Sequence, residues 1–114
     1  MASERRIEKL NKLLRNEIAN IISREVSFDA GTLVTVTHVE VHRNLSQAEV
    51  FITTLPDSSL LKALKILDDS IFELQQILNK RLRMRPVPKI IFKADKGQIK
   101  AEAVYKAMND VGEK

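Results

Sequence analysis

The sequence predicts a single α+β domain in the order helix, strand, strand, helix, helix, strand, with one three-stranded sheet covered by helices. Three observations predict it. A helical period runs through the first quarter of the chain. Two β-branched runs follow, separated only by the short polar segment Arg43 to Gln47. Finally, Pro86 and Pro88 stop a basic helical stretch immediately before the apolar residues Ile90, Ile91 and Phe92. A chain of 114 residues is one domain, long enough to bury about two-thirds of its unfolded surface in one core.

From Ser3 to Glu25 the apolar residues Ile7, Leu10, Leu14, Ile18, Ile21 and Ile22 recur every three or four positions. That spacing gathers them on one side of a long helix, the side that must face a core. Ser3 is suited to cap it, with Glu4 at the positive end of the helix dipole. The same period aligns Arg5, Lys9, Lys12 and Asn16 on the opposite side. Such a side serves either as a solvated face or as a surface for an anionic partner.

Asp29, Ala30 and Gly31 end this first helical stretch in a loop. Leu33 to His42 and Glu49 to Thr54 read as two strands of a hairpin. Val34 and Val36 fall on one parity of the first strand, Val39 and Val41 on the other. A bulge near Thr37 and His38, or a sheet covered on both faces, reconciles them. His38, Glu40 and His42 share one side of that strand. Their pattern is open to reading as metal ligands, although no fourth ligand is nominated and surface histidines are common on strands.

A second helix is expected from Ser58 to Leu67, interrupted by Asp68-Asp69-Ser70. Ser70 and Glu73 then have capping-box spacing for a third helix. One continuous, kinked helix is the alternative, since Asp and Ser do not break helices as Gly or Pro would. The third helix buries Ile71, Leu74, Leu78 and Leu82 and leaves Phe72, Gln76, Asn79, Lys80 and Arg83 on the other side. There Phe72 either stacks on a base or packs against the first helix or a loop. Lys80, Arg81, Arg83 and Arg85 are expected in the last helical turn, where the dipole favours cations. Val87, Ile90, Ile91 and Phe92 form the third strand, closed by Asp95-Lys96-Gly97. Residues 96–114 form a tail, helix-like from Gln98 to Met108 and either loosely docked or frayed.

Composition narrows the chemistry. Lys and Arg outnumber Asp and Glu by 19 to 15, giving a net charge of +4 and a pI of about 9.5. The balance favours an anionic partner. With no cysteine there is neither a disulfide nor a thiolate nucleophile. No nucleophile with a base and no carboxylate pair in a pocket is evident, because Asp68 and Asp69 read as helix capping. We therefore expect no enzyme, no cofactor, no bound metal and no small-molecule substrate. The opening Met-Ala-Ser-Glu-Arg-Arg has no apolar signal segment and no run is long enough to span a membrane. A soluble cytoplasmic protein, acting as a monomer, is the expectation.

The element order is that of the type II KH module, whose Gly-x-x-Gly loop between consecutive helices approaches nucleic acid; no such loop exists here. A closer resemblance lies in Val34 to Val41, Ala48 to Phe51, Leu82 to Phe92 with Asp95, and Arg6 to Ile18. Together these segments resemble ribosome-binding factor A, a bacterial ribosome maturation family, from Arg5 to Asp95. The resemblance implies a KH-like domain over residues 1–95 that binds the small (30S) ribosomal subunit and its rRNA during late assembly. It also implies help in processing precursor small-subunit rRNA and a role in growth in the cold. The family's Ala-x-Gly kink falls on Ser70, Ile71 and Phe72, and an arginine common just after it falls on Gln75. This chain thus lacks the kink glycine. RNA-binding candidates are Arg5, Lys9, Lys12, Asn16, Phe72, Gln76, Lys80, Arg81, Arg83 and Arg85. A generic KH-like RNA-binding module and a basic protein-interaction domain are the alternatives.

Overall fold

A computed structural model describes residues 3–95 and Gly97. The tail expected from Gln98 to Met108 lies outside the described residues. Helix α1, Glu4–Glu25, is followed by strands β1, Leu33–Val41, and β2, Gln47–Leu55. A 3-10 turn, Asp57–Ser59, leads into α2, Leu60–Asp69, then α3, Ile71–Arg81, and β3, Lys89–Ala94. The sheet order is β1-β2-β3, with β1 antiparallel and β3 parallel to β2. This is the expected α+β arrangement with a mixed sheet. The parallel return of β3 requires the long crossover that α2 and α3 provide.

Ser3 caps α1 by accepting from the Arg6 N–H at 3.3 Å. Leu14, Ile18, Ile21 and Ile22 are buried, with Ile7 and Leu10 partly buried against the same core. Asp29 to Thr32 turns the chain into β1. The Thr32 N–H bonds the Asp29 carbonyl at 3.0 Å, and Gly31 takes a φ of 84° that a side chain would resist. Helix α1 packs on β1 and α3, and α2 packs on β3.

The bulge is the answer to the parity conflict in β1. Val36 pairs with Ile52 and His38 with Phe51, leaving Thr37 as the extra residue. Val36, Val39 and Val41 therefore all reach the core together with Ala48, Val50 and Ile52. On the face away from the helices, His38 stacks on Phe51 with centroids 4.4 Å apart and planes within 9°. Only 6% of Phe51 remains exposed beneath it.

Several local expectations are corrected. Helix α2 begins at Leu60 and runs through Asp68 and Asp69, so only Ser70 separates it from α3. Ser70 makes no side-chain cap bond. Its own N–H bonds back to the carbonyls of Ile66 and Leu67, and its φ and ψ of −99° and 2° are not the extended geometry of a capping box. Helix α3 ends at Arg81, placing Arg83 and Arg85 beyond the last turn rather than in it. Val87 precedes β3, which starts at Lys89, because Pro88 has no N–H to enter the ladder.

Candidate nucleic-acid interface

The two flanks of α1 are committed to holding the fold. On one, Asn11 Oδ1 accepts the Val41 N–H at 2.9 Å, and Arg15 Nε donates to the Thr37 carbonyl at 3.1 Å. These side chains cover backbone groups of the edge strand β1 that no neighbouring strand pairs. On the other flank, Arg81 donates to Asn20 Oδ1 at 2.9 Å and to Glu17 Oε2 at 3.3 Å, clamping the end of α3 to α1. The outer side between these flanks carries Arg5, Lys9, Lys12 and Asn16, all exposed. Their long side chains project from a rigid helix into solvent.

The second group lies on α3 and the segment after it. Phe72 is 72% exposed, which sets aside its packing against the first helix. Gln76 and Lys80 follow at one-turn intervals on the same side and are exposed, as is Arg83. Arg81 and Arg85 sit differently. Arg81 is the clamp just described, whereas Arg85 folds back to donate to the carbonyls of Leu82 and Met84 at 2.8 and 2.7 Å. The guanidinium thereby pairs with carbonyls of the segment that follows α3.

Gln75 was legible only as a departure from a family arginine. In the fold its Oε1 accepts the Ile90 N–H at 2.9 Å and its Nε2 donates to the Pro88 carbonyl at 3.1 Å. The amide thereby supports the start of β3, an edge strand. Arg6, Leu13, Leu45 and Met84 also escaped the sequence reading as a group, although together with Leu10 they line one depression. The available signal was Leu13, an apolar residue off the core stripe of α1.

On the open sheet face Asp95 accepts from Thr37 Oγ1 at 2.9 Å and from the Gly97 N–H at 2.9 Å. The Thr37 hydrogen bond, then that of Gly97, holds the Asp95 carboxyl below the usual carboxylate range against a smaller opposing effect of burial; nearby His38 adds a lesser favourable charge. His38 lies 3.6 Å from carboxylate oxygens of Glu40 and of Asp95. Among the described residues no group of three or more His, Cys, Asp or Glu is arranged to hold a metal ion. His38 and Glu40 lie within β1, and His42 follows its last residue.

The sequence matches the protein family described as Ribosome-binding factor A over residues 6–108. The chain belongs to the ribosome-binding factor A family. A ribosome-binding factor A from Prochlorococcus marinus is 31% identical over 112 residues, covering 96% of this chain and 91% of its own. That of Pseudomonas aeruginosa strain UCBPP-PA14 is 33% identical over 93 residues, covering 79% of this chain and 72% of its own. The crystal structure of ribosome-binding factor A from Thermus thermophilus superposes with a TM-score of 0.67 at 24% identity, over 77% of this chain and 94% of that one. A homology model of the Thermus protein, fitted into a cryo-EM map of a 30S complex, superposes with a TM-score of 0.64 at 24% identity, over 77% of this chain and 93% of that one. A ribosome-binding factor A is a binding protein rather than an enzyme. No helix among the described residues is long and apolar enough to cross a membrane.

Proposed function

We propose that this chain is a ribosome maturation factor that binds the small ribosomal subunit and its rRNA during late assembly and assists processing of precursor small-subunit rRNA. The observation that carries the reading is the exposed side of α1, where Arg5, Lys9, Lys12 and Asn16 stand clear while both flanks of the helix are occupied by the fold. The fit of the Thermus relative into a map of a 30S complex supports the choice of partner. The element order, shared with type II KH modules, supports RNA as the surface met.

Docking is electrostatic first. Lysines and arginines displace counterions from rRNA phosphates, which supplies affinity and rapid encounter without reading sequence. Phe72, Gln76, Lys80 and Arg83 form a second contact strip, with Phe72 available to an unstacked base. The protein works as a cytoplasmic monomer and by binding alone. It favours one rRNA conformation by no more than its difference in affinity between conformations.

Co-sedimentation with mature and immature small subunits across a salt series, with large subunits as control, tests this. Selective, salt-sensitive pelleting with small subunits is expected. Equal binding to both subunits would leave a generic RNA-binding module, and no binding at low salt would leave a protein-interaction domain.

A further inference from the structure

The N-terminal part of α1, the hairpin tip and the segment joining α3 to β3 enclose an open depression of about 280 Å³, lined by Leu10, Leu13, Leu45, Met84 and Arg6. Its walls are mostly apolar, yet it faces solvent and Leu13 is 46% exposed. Leu45 holds a φ of 61°, a conformation that glycine or asparagine adopts more easily than leucine. The turn enforces it: the Leu45 N–H bonds the His42 carbonyl at 2.8 Å, and Asn44 Oδ1 accepts from the Ser46 N–H and hydroxyl at 3.1 and 2.7 Å. Leu10, Leu45 and Met84 pack against the core on one side and, with the exposed Leu13, leave an open apolar wall on the other that a partner can cover.

Charge selects the kind. Arg6 lines the rim, Lys9 lies about one helical turn further along α1 toward its outer side, and Arg83 adjoins Met84, all exposed. The nearby acids Glu4 and Glu17 are paired with Arg43 and Arg81, so the rim presents positive charge. An apolar slot bordered by cations matches a nucleotide, whose base is apolar on both faces and whose phosphate is anionic. The volume lies just below that of a drug-sized ligand site, which suits a single base.

We propose that this depression takes one unstacked base of single-stranded rRNA, seated among Leu13, Leu45 and Met84, with its phosphates on Arg6, Lys9 and Arg83. The proposal rests on the RNA-binding reading above and deepens it. Binding would then distinguish splayed from stacked rRNA, giving the electrostatic surface a means of selecting one conformation.

The test is fluorescence anisotropy of the full chain with a single-stranded uridine nonamer and with the same nonamer carrying abasic central positions. Wild type is expected to bind the base-bearing strand about tenfold more tightly. Leu13→Ala combined with Met84→Ala should bring both strands to the abasic affinity with an unchanged salt slope. Leu45→Gly, which removes a side chain packed against the core as well as the pocket wall, should lower the base preference with an unchanged salt slope. Equal binding of both strands by wild type, or a preference that survives the double substitution, overturns the proposal. If small subunits still bind wild type in either case, only the pocket is lost. If neither strand nor small subunits bind, the RNA reading falls with it, as it does if a photoreactive group at Leu13 crosslinks in the 30S complex to protein alone.

Discussion

Gln75 stands in for a missing strand partner of Ile90. Its side-chain oxygen accepts the Ile90 N–H at 2.9 Å while its nitrogen donates to the Pro88 carbonyl at 3.1 Å, so one helical amide imitates the donor and acceptor of a neighbouring strand. Gln75→Ala should cost about 1 to 3 kcal/mol by leaving a part-buried N–H unpaired. Gln75→Glu, which keeps the acceptor, should cost less. Urea unfolding measures both, and an unchanged midpoint for the alanine variant would dismiss the role.

Phe72→Ala should leave the unfolding free energy measured in urea within about 0.5 kcal/mol of wild type, because the ring is 72% exposed. RNA affinity should fall if the ring stacks on a base. Loss of stability with intact RNA binding would contradict both the exposure and the stacking role.

Reversing Lys9 and Lys12 together to glutamate should weaken small-subunit binding and flatten its salt dependence. With each phosphate contact contributing about 0.7 to 0.9 to the logarithmic slope, the loss should be about 1.5. Both positions are exposed, so the fold should be unaffected. An identical slope would remove α1 from the contact surface.

Asp95 ties the end of β3 to the bulge in β1, and the Thr37 hydroxyl, followed by the Gly97 N–H, holds its carboxyl below the usual range. A carboxylate depressed in the folded state stabilises it above the unfolded pKa, and that contribution is lost as pH falls through the folded value. Asp95→Asn should therefore be less stable than wild type at neutral pH. The gap should narrow only below the ordinary carboxylate range. Unfolding midpoints followed from neutral to strongly acid pH would expose the error if the two proteins remained equally far apart.

The core was legible because burial imposes a period. Leu14, Ile18, Ile21 and Ile22 recur at helical spacing, and the β-branched residues around Arg43 to Gln47 announce a hairpin, so local pattern and global fold agree there. Thr37 was legible as half of an alternative, since the switch in valine parity demanded either a bulge or a second cover and only pairing with β2 selects between them. The Ser70 junction was misread. A serine followed by Glu73 has the spacing of a capping box, but the Ser70 N–H continues the bonding of α2 to the Ile66 and Leu67 carbonyls, which holds its backbone out of the extended cap geometry.

By itself the sequence determined the α+β class, the order of the elements, the core stripe of α1 and the basic side opposite it, because each follows from the period of residues near in the chain. Tertiary structure alone decided that Arg81 clamps α3 to α1, that Gln75 supports β3, and that Leu13, Leu45 and Met84 share one pocket. Those relationships join residues far apart in sequence, and a cation or an amide carries no local sign of which distant partner the chain will bring within hydrogen-bonding distance.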